Sequence, residues 1–193
     1  MSRKFITAAL FAVLMLTPRL AQAADKYEFD KGHTYIGFAI SHIGLSTTYG
    51  AFRDFDGTLI IDEAAPEKSS VDVTIKVASV DTLHAKRDEH LRGKDFFNVE
   101  QFPAMTFKST QIKSTGKTTA RMRGDLTMLG VTKPVTLEVT LNAKKEHPMS
   151  KKMTVGFEAQ GKLKRSDFGL SKGIPAVGDE VTLTISTEAQ QSN

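Results

Sequence analysis

From Ile36 onward, apolar and polar residues alternate with a period of two in one short segment after another. Ile36, Phe38 and Ile40 alternate with Gly37, Ala39 and Ser41. Val71, Val73, Ile75 and Val77 alternate with Asp72, Thr74 and Lys76, and Val135, Leu137, Val139 and Leu141 with Thr136, Glu138 and Thr140. The same rhythm runs through residues 105–108, 120–128, 155–163 and 181–186. Successive side chains of a strand point to opposite faces, so each segment has one apolar and one wet face. Residues 50–62 alternate poorly and are read as a strand carrying a bulge. In all, the pattern predicts an all-β chain of eight strands. Turn signals fall at 63–69, 114–117, 129–134 and 147–152, each holding Gly or Pro.

Strands wetted on one side argue an antiparallel sheet, closed into a barrel or stacked as a sandwich. A barrel of about eight strands is filled by its own side chains or holds one small ligand. A single helix is expected, within "DTLHAKRDEHLRGKDFF", residues 81–97. Asp81 or Thr82 is the expected N-cap and Gly93 the stop. Leu83, Arg87 and Leu91 recur at spacings of four and are expected on one face. About ten residues make a marginal helix in isolation. It should therefore dock at one end of the sheet structure, with Phe96 and Phe97 as anchors and most of its charges facing water.

Composition changes the picture in three places. The first 23 residues pair Arg3 and Lys4 with the uncharged, mostly apolar run 5–16 and the A-x-A pattern of Ala21 to Ala23. That is the layout of a secretory signal peptide, and the run falls short of the about 20 residues needed to span a bilayer. The expected products are a leader, 1–23, and one domain, 24–193, exported to the periplasm without stable membrane insertion. Losing Arg3, Lys4 and Arg19 takes the formal net charge of +4 down by three to +1, and no basic stripe suggests nucleic acid. There is no cysteine, which excludes disulfides, thiolate metal sites and a cysteine nucleophile.

Motifs for catalysis are weak. His84 and Asp88 lie four apart but lack the H-E-x-x-H pattern and a third metal ligand. "STGKTT", 114–119, ends like a phosphate-binding loop but has Gln111 where the first glycine belongs, so it is read as a hairpin turn. Arg165 and Asp167 are read as a structural ion pair. His42 shares parity with Ile36, Phe38 and Ile40. It is either a polar group orienting a ligand head or a core histidine bonded to backbone. Arg87 is the helical charge expected to turn inward, toward a phosphate, a quinone oxygen or a protein carboxylate.

Four stretches together resemble the YceI-like family of periplasmic, lipocalin-like proteins: "HTYIGFAISHIGLSTTYGAFRDFDGTL", "VDTLHAKRDEHLRGKDFFNVEQFPAMTFKST", "GDLTMLGVTKPVTLEV" and "GKLKRSDFGLSKGIPAVGDEVTLTIS". The resemblance implies an eight-stranded antiparallel lipocalin-like barrel with one short helix between strands, binding a polyisoprenoid, a polyprenyl quinone or a similar lipid inside. It implies no catalytic residues, and neither cofactor nor metal is expected. Inward parity then selects Phe38, Ile40, Val73, Ile75, Phe107, Met122, Leu137, Val139, Phe157 and Leu183 as the ligand-binding wall, with His42 and Arg87 at its polar end. Three function classes follow: a carrier or scavenger of long-chain lipid, a quinone-holding accessory of a membrane cytochrome, and a merely structural barrel. Monomer and homodimer both remain open.

Overall fold

The computed structural model describes residues 24–192, and the expected leader, 1–23, lies outside them. Eleven strands form one sheet: β1 (Asp25–Phe29), β2 (Tyr35–His42), β3 (Ser46–Phe52), β4 (Phe55–Ile61), β5 (Ser70–Lys76), β6 (Val80–Asp81), β7 (Ala104–Ser114), β8 (Thr119–Met128), β9 (Val131–Glu146), β10 (Met153–Lys164) and β11 (Val177–Gln191). The helix α1 spans Ala85–Arg92. All pairings are antiparallel, and β1 pairs both β4 and β11. β1 and β2 follow one another along β11, as do β3 with β4 and β5 with β6 along their partners. The eleven pieces are thus eight wall positions of a closed antiparallel barrel. Closure leaves no long free sheet edge, and the apolar faces converge on one interior.

The three interruptions explain where the alternation failed. Phe52 and Phe55 are both buried although they stand three positions apart, an odd offset, as are Val77 and Val80. Each interruption therefore shifts side-chain parity by one, which in an unbroken strand would turn the apolar set outward. The second and third interruptions are tied together. The Arg53 and Asp54 N–H groups donate to Ser79 Oγ at 3.1 and 3.0 Å, and Arg53 Nε donates to Asp81 Oδ2 at 3.1 Å. Where one strand with a bulge was expected over 50–62, the wall is thus two strands joined by a pinned two-residue step. The first interruption, 30–34, is locked by Asp30 N–H to Glu188 O and Glu188 N–H to His33 O. β1 itself was not anticipated; its Tyr27 is fully buried with Leu59, Val155 and Ala189.

The turn at 114–119 is the hairpin expected there, with the Thr115 N–H donating to Thr119 O at 2.9 Å. α1 differs from expectation at its start. His84 is the N-cap, its Nδ1 accepting the Arg87 N–H at 3.2 Å, and Gly93 follows the last turn as anticipated. Leu83 lies outside the helix, at φ +61° and 88% exposed. Only Leu91 of the expected pair of leucines packs inward. The segment after α1 is anchored by Phe96 and Phe97, the latter edge-on to Phe52 with centroids 5.7 Å apart.

Candidate functional site: the barrel interior

The barrel encloses a cavity of about 1060 Å³ running between its two ends. That is at the upper limit of the roughly 300–1,000 Å³ typical of small-molecule sites. Its wall is aliphatic and aromatic. Of the residues selected from sequence, Phe38, Ile40, His42, Val73, Ile75, Arg87, Phe107, Leu137, Val139, Phe157 and Leu183 all line it. Met122 does not. It is buried in the wall between Ile112 and Leu137, its neighbours on the adjacent strands. Parity places a side chain on the inner face but does not decide whether it reaches the lumen or is packed beneath its neighbours.

How the lumen is kept clear of side chains was not read from sequence. Phe38 pairs across the wall with Gly50, and a β-carbon on Gly50 would lie 2.3 Å from the Phe38 ring. A β-carbon on Gly124 would lie 2.3 Å from the ring of Phe107. The tip of each ring therefore occupies the space over a glycine on the neighbouring strand. Glycine inside a strand often marks such a close approach, and here it was the available signal.

Charged groups line only the ends. At the end formed by the 62–69 loop and the β7–β8 turn, Asp62, Glu63, Lys117 and Lys144 line the cavity, and Lys144 Nζ bonds Glu63. At the α1 end the lining holds His42, His90, Arg87 and Arg165 and no carboxylate. Arg165 is 4% exposed, and no ion pair holds it, contrary to the expected pairing with Asp167. Its Nε donates to Gly178 O, Nη1 to Leu170 O and Lys172 O, and Nη2 to Val177 O, at 2.6–3.0 Å. The planar fork collects carbonyls of the β10–β11 connection and the start of β11. Burial lowers its pKa, opposed by nearby Asp179. Asp179 instead accepts from Ser166 N–H and Oγ, and the backbone donor foremost holds its carboxyl below the usual range.

Arg87 lines the cavity as expected, but its protein partner is neither a carboxylate nor a loop ion pair. Its Nε donates to Thr82 Oγ1 and its Nη2 to Thr82 O, both at 2.7 Å. Thr82 Oγ1 in turn donates to Asp88 Oδ1 at 2.5 Å, and Thr82 N–H donates to the same oxygen at 2.8 Å. A hydroxyl has one proton; spending it on Asp88 leaves lone pairs for Arg87. Arg92 binds Ala78 O and Val80 O. Lys86, Glu89, Lys94 and Asp95 are exposed, as expected of most charges in this segment, whereas Asp88 is buried and Arg92 is turned onto backbone carbonyls. The two-residue β6 leaves neighbouring backbone groups without ladder partners, and these side chains supply them. His84 and Asp88 form no metal pair, because one caps the helix and the other is buried on Thr82.

Asp88→Ala is accordingly expected to cost about 2–4 kcal/mol, since it removes a charged acceptor from two buried donors. His84→Ala, losing one cap bond, should cost about 0.5–2 kcal/mol. Urea denaturation of the two variants checks the order; an Asp88→Ala loss below that of His84→Ala would contradict this reading of Thr82.

The YceI-like domain profile matches residues 27–189. The chain belongs to the YceI-like family. Protein YceI of Escherichia coli O17:K52:H18 is 45% identical over 191 residues, 98% of each chain. A crystal structure of the Campylobacter jejuni YCEI protein shares 34% identity and covers 79% of this chain and 90% of its own, with a TM-score of 0.73. A polyisoprenoid binding domain from Saccharophagus degradans, implicated in plant cell wall breakdown, has the same fold at 16% identity, covering 86% of this chain and 98% of its own, with a TM-score of 0.63. Among the described residues of this YceI-like chain, no helix is long and apolar enough to cross a membrane.

Proposed function

We propose that this protein is exported to the periplasm and holds a long-chain apolar amphiphile, a polyisoprenoid, isoprenoid quinone or similar lipid, inside its barrel. The observation that carries the reading is the large apolar lumen with charged groups at its ends alone. A merely structural barrel of eight strands would fill that space with side chains. Burying some sixteen CH₂ equivalents contributes roughly 13 kcal/mol gross, before the ordering costs of association. No catalytic group is needed for retention, and binding, not turnover, is the role supported. The polyisoprenoid binding of the Saccharophagus degradans domain agrees with this reading. Arg87, which lines an end without a lining carboxylate, favours an anionic or oxygen-rich head group beside α1.

Mass spectrometry of an organic extract of the purified protein tests the proposal. A long-chain lipid in near-stoichiometric amount is expected; an extract free of such lipid, from protein that also fails to take up added polyprenyl lipid, would refute it. Export has its own check. Intact-mass measurement of periplasmic protein should show a chain beginning at Ala24, and recovery of full-length chain would contradict cleavage.

A further inference from the structure

We infer that the α1 end of the barrel docks on the surface of a lipid bilayer rich in anionic phospholipid. The inference rests on the lipid-binding reading above. A lipid of that length does not cross water readily, so the mouth through which it passes must meet a membrane. Three observations select this mouth over the opposite one. The first is the distribution of exposed apolar side chains. Ile43 and Leu45 in the β2–β3 turn are 53% and 82% exposed, Leu83 before α1 is 88% exposed, and Ile174 in the β10–β11 connection is 37% exposed. All four stand on connections at the α1 end, whereas Met149 alone of the exposed large apolar residues stands on a turn at the far end.

The second is backbone geometry. Ile43 and Leu83 take φ of +45° and +61°, a region suited to glycine or asparagine and disfavoured for a β-branched side chain. An apolar side chain is thus kept in water at a turn tip against two preferences at once. The Ile43 N–H also bonds Ala176 O at 2.5 Å, joining two of these connections into one rim. Beside that rim, Ser41, His42 and Ser46 are at once exposed and part of the cavity lining.

The third is charge. Residues 43–52 carry none, so the turn enters a head-group layer without stripping water from an ion. Behind it, Lys86, Arg87, Arg92 and Lys94 have no carboxylate within 4.0 Å among the described residues, a set of cations matched to anionic head groups. Apolar tips backed by cations that no carboxylate neutralises are the pattern of interfacial binding, not of spanning.

The test is flotation of the full mature chain with vesicles of phosphatidylethanolamine and phosphatidylglycerol, against phosphatidylcholine alone, at low and high salt. Wild type should float with the anionic vesicles, less so at high salt. The double variant Leu45→Ser, Leu83→Ser should lower the partition about tenfold or more, while Met149→Ser should not change it. Circular dichroism and organic extraction of each variant accompany the flotation. Folded double variant that keeps its lipid yet no longer floats supports docking. Wild type that carries lipid but fails to bind anionic vesicles overturns docking and leaves the lipid reading standing; wild type that binds vesicles but never holds lipid does the reverse. Loss by Met149→Ser equal to that of the double variant also overturns it. So does light scattering that shows Leu45 and Leu83 holding two copies together in place of a membrane.

Discussion

Leu137→Asp is expected to abolish lipid retention and to lower stability by about 3–5 kcal/mol, because it leaves an unpaired charge on the inner face. Leu137 is 7% exposed, lines the cavity and pairs with Met122 and Gly161 on the flanking strands, where no cation is available to receive the carboxylate. For a domain of this size that corresponds to a fall in Tm of about 6–20 °C. Loss of binding by unfolding would be uninformative, so Val139→Phe is the companion. Val139 lines the cavity between Ala120 and Ala159, both small, and the added ring should occupy lumen at a cost of about 1–3 kcal/mol. Its extract should hold less lipid, or shorter chains, from folded protein. Unchanged lipid amount and chain length in folded Val139→Phe would count against an internal pocket.

Arg165→Ala should cost about 3–5 kcal/mol, comparable to the core charge, although no salt bridge is lost. Four carbonyls, two in the β10–β11 connection and two at the start of β11, would lose their donors together, and leaving buried acceptors unmet is the expensive part of removing a hydrogen bond. Lysine at this position keeps the charge but not the planar fork, so Arg165→Lys should recover only part of the stability. Hydrogen exchange of amides in residues 169–178, read with thermal melting, separates loosening of the connection from general instability. A change below about 1 kcal/mol in Arg165→Ala, with unaltered exchange there, would show that the carbonyls find other donors.

Much of the barrel was legible because closure asks little beyond alternation. Residues such as Val71, Val73 and Ile75, or Leu137 and Val139, announce an inner face through period two alone, and that pattern survives whatever the loops do. The antiparallel wall, its eight positions and eleven of the cavity-lining residues followed from it, and the family resemblance joined them into one fold. The wall became illegible where parity shifts. Phe52 and Phe55 are both inward only because Arg53 and Asp54 are pinned to Ser79, which lies 25 residues or more away in sequence. A contact of that range leaves no local periodicity.

The candidate site divides along the same line. The apolar wall is a sum of local preferences, each side chain leaving water on its own account, so the sequence by itself determined it. The polar end depends on partners that only folding assembles. Arg165 looked like half of an ion pair with Asp167 and is a clamp on backbone carbonyls. Asp88 looked like a solvated charge and is a buried acceptor for Thr82. Met122 had the parity of the wall but not access to the lumen, and the Phe38 and Phe107 rings reach over the neighbouring strand only because Gly50 and Gly124 stand there. Hydrophobic burial is non-directional and roughly additive in area, so it can be read from composition and spacing. Hydrogen bonds require a particular partner at about 2.7–3.2 Å, and which partner arrives was decided by the tertiary structure alone.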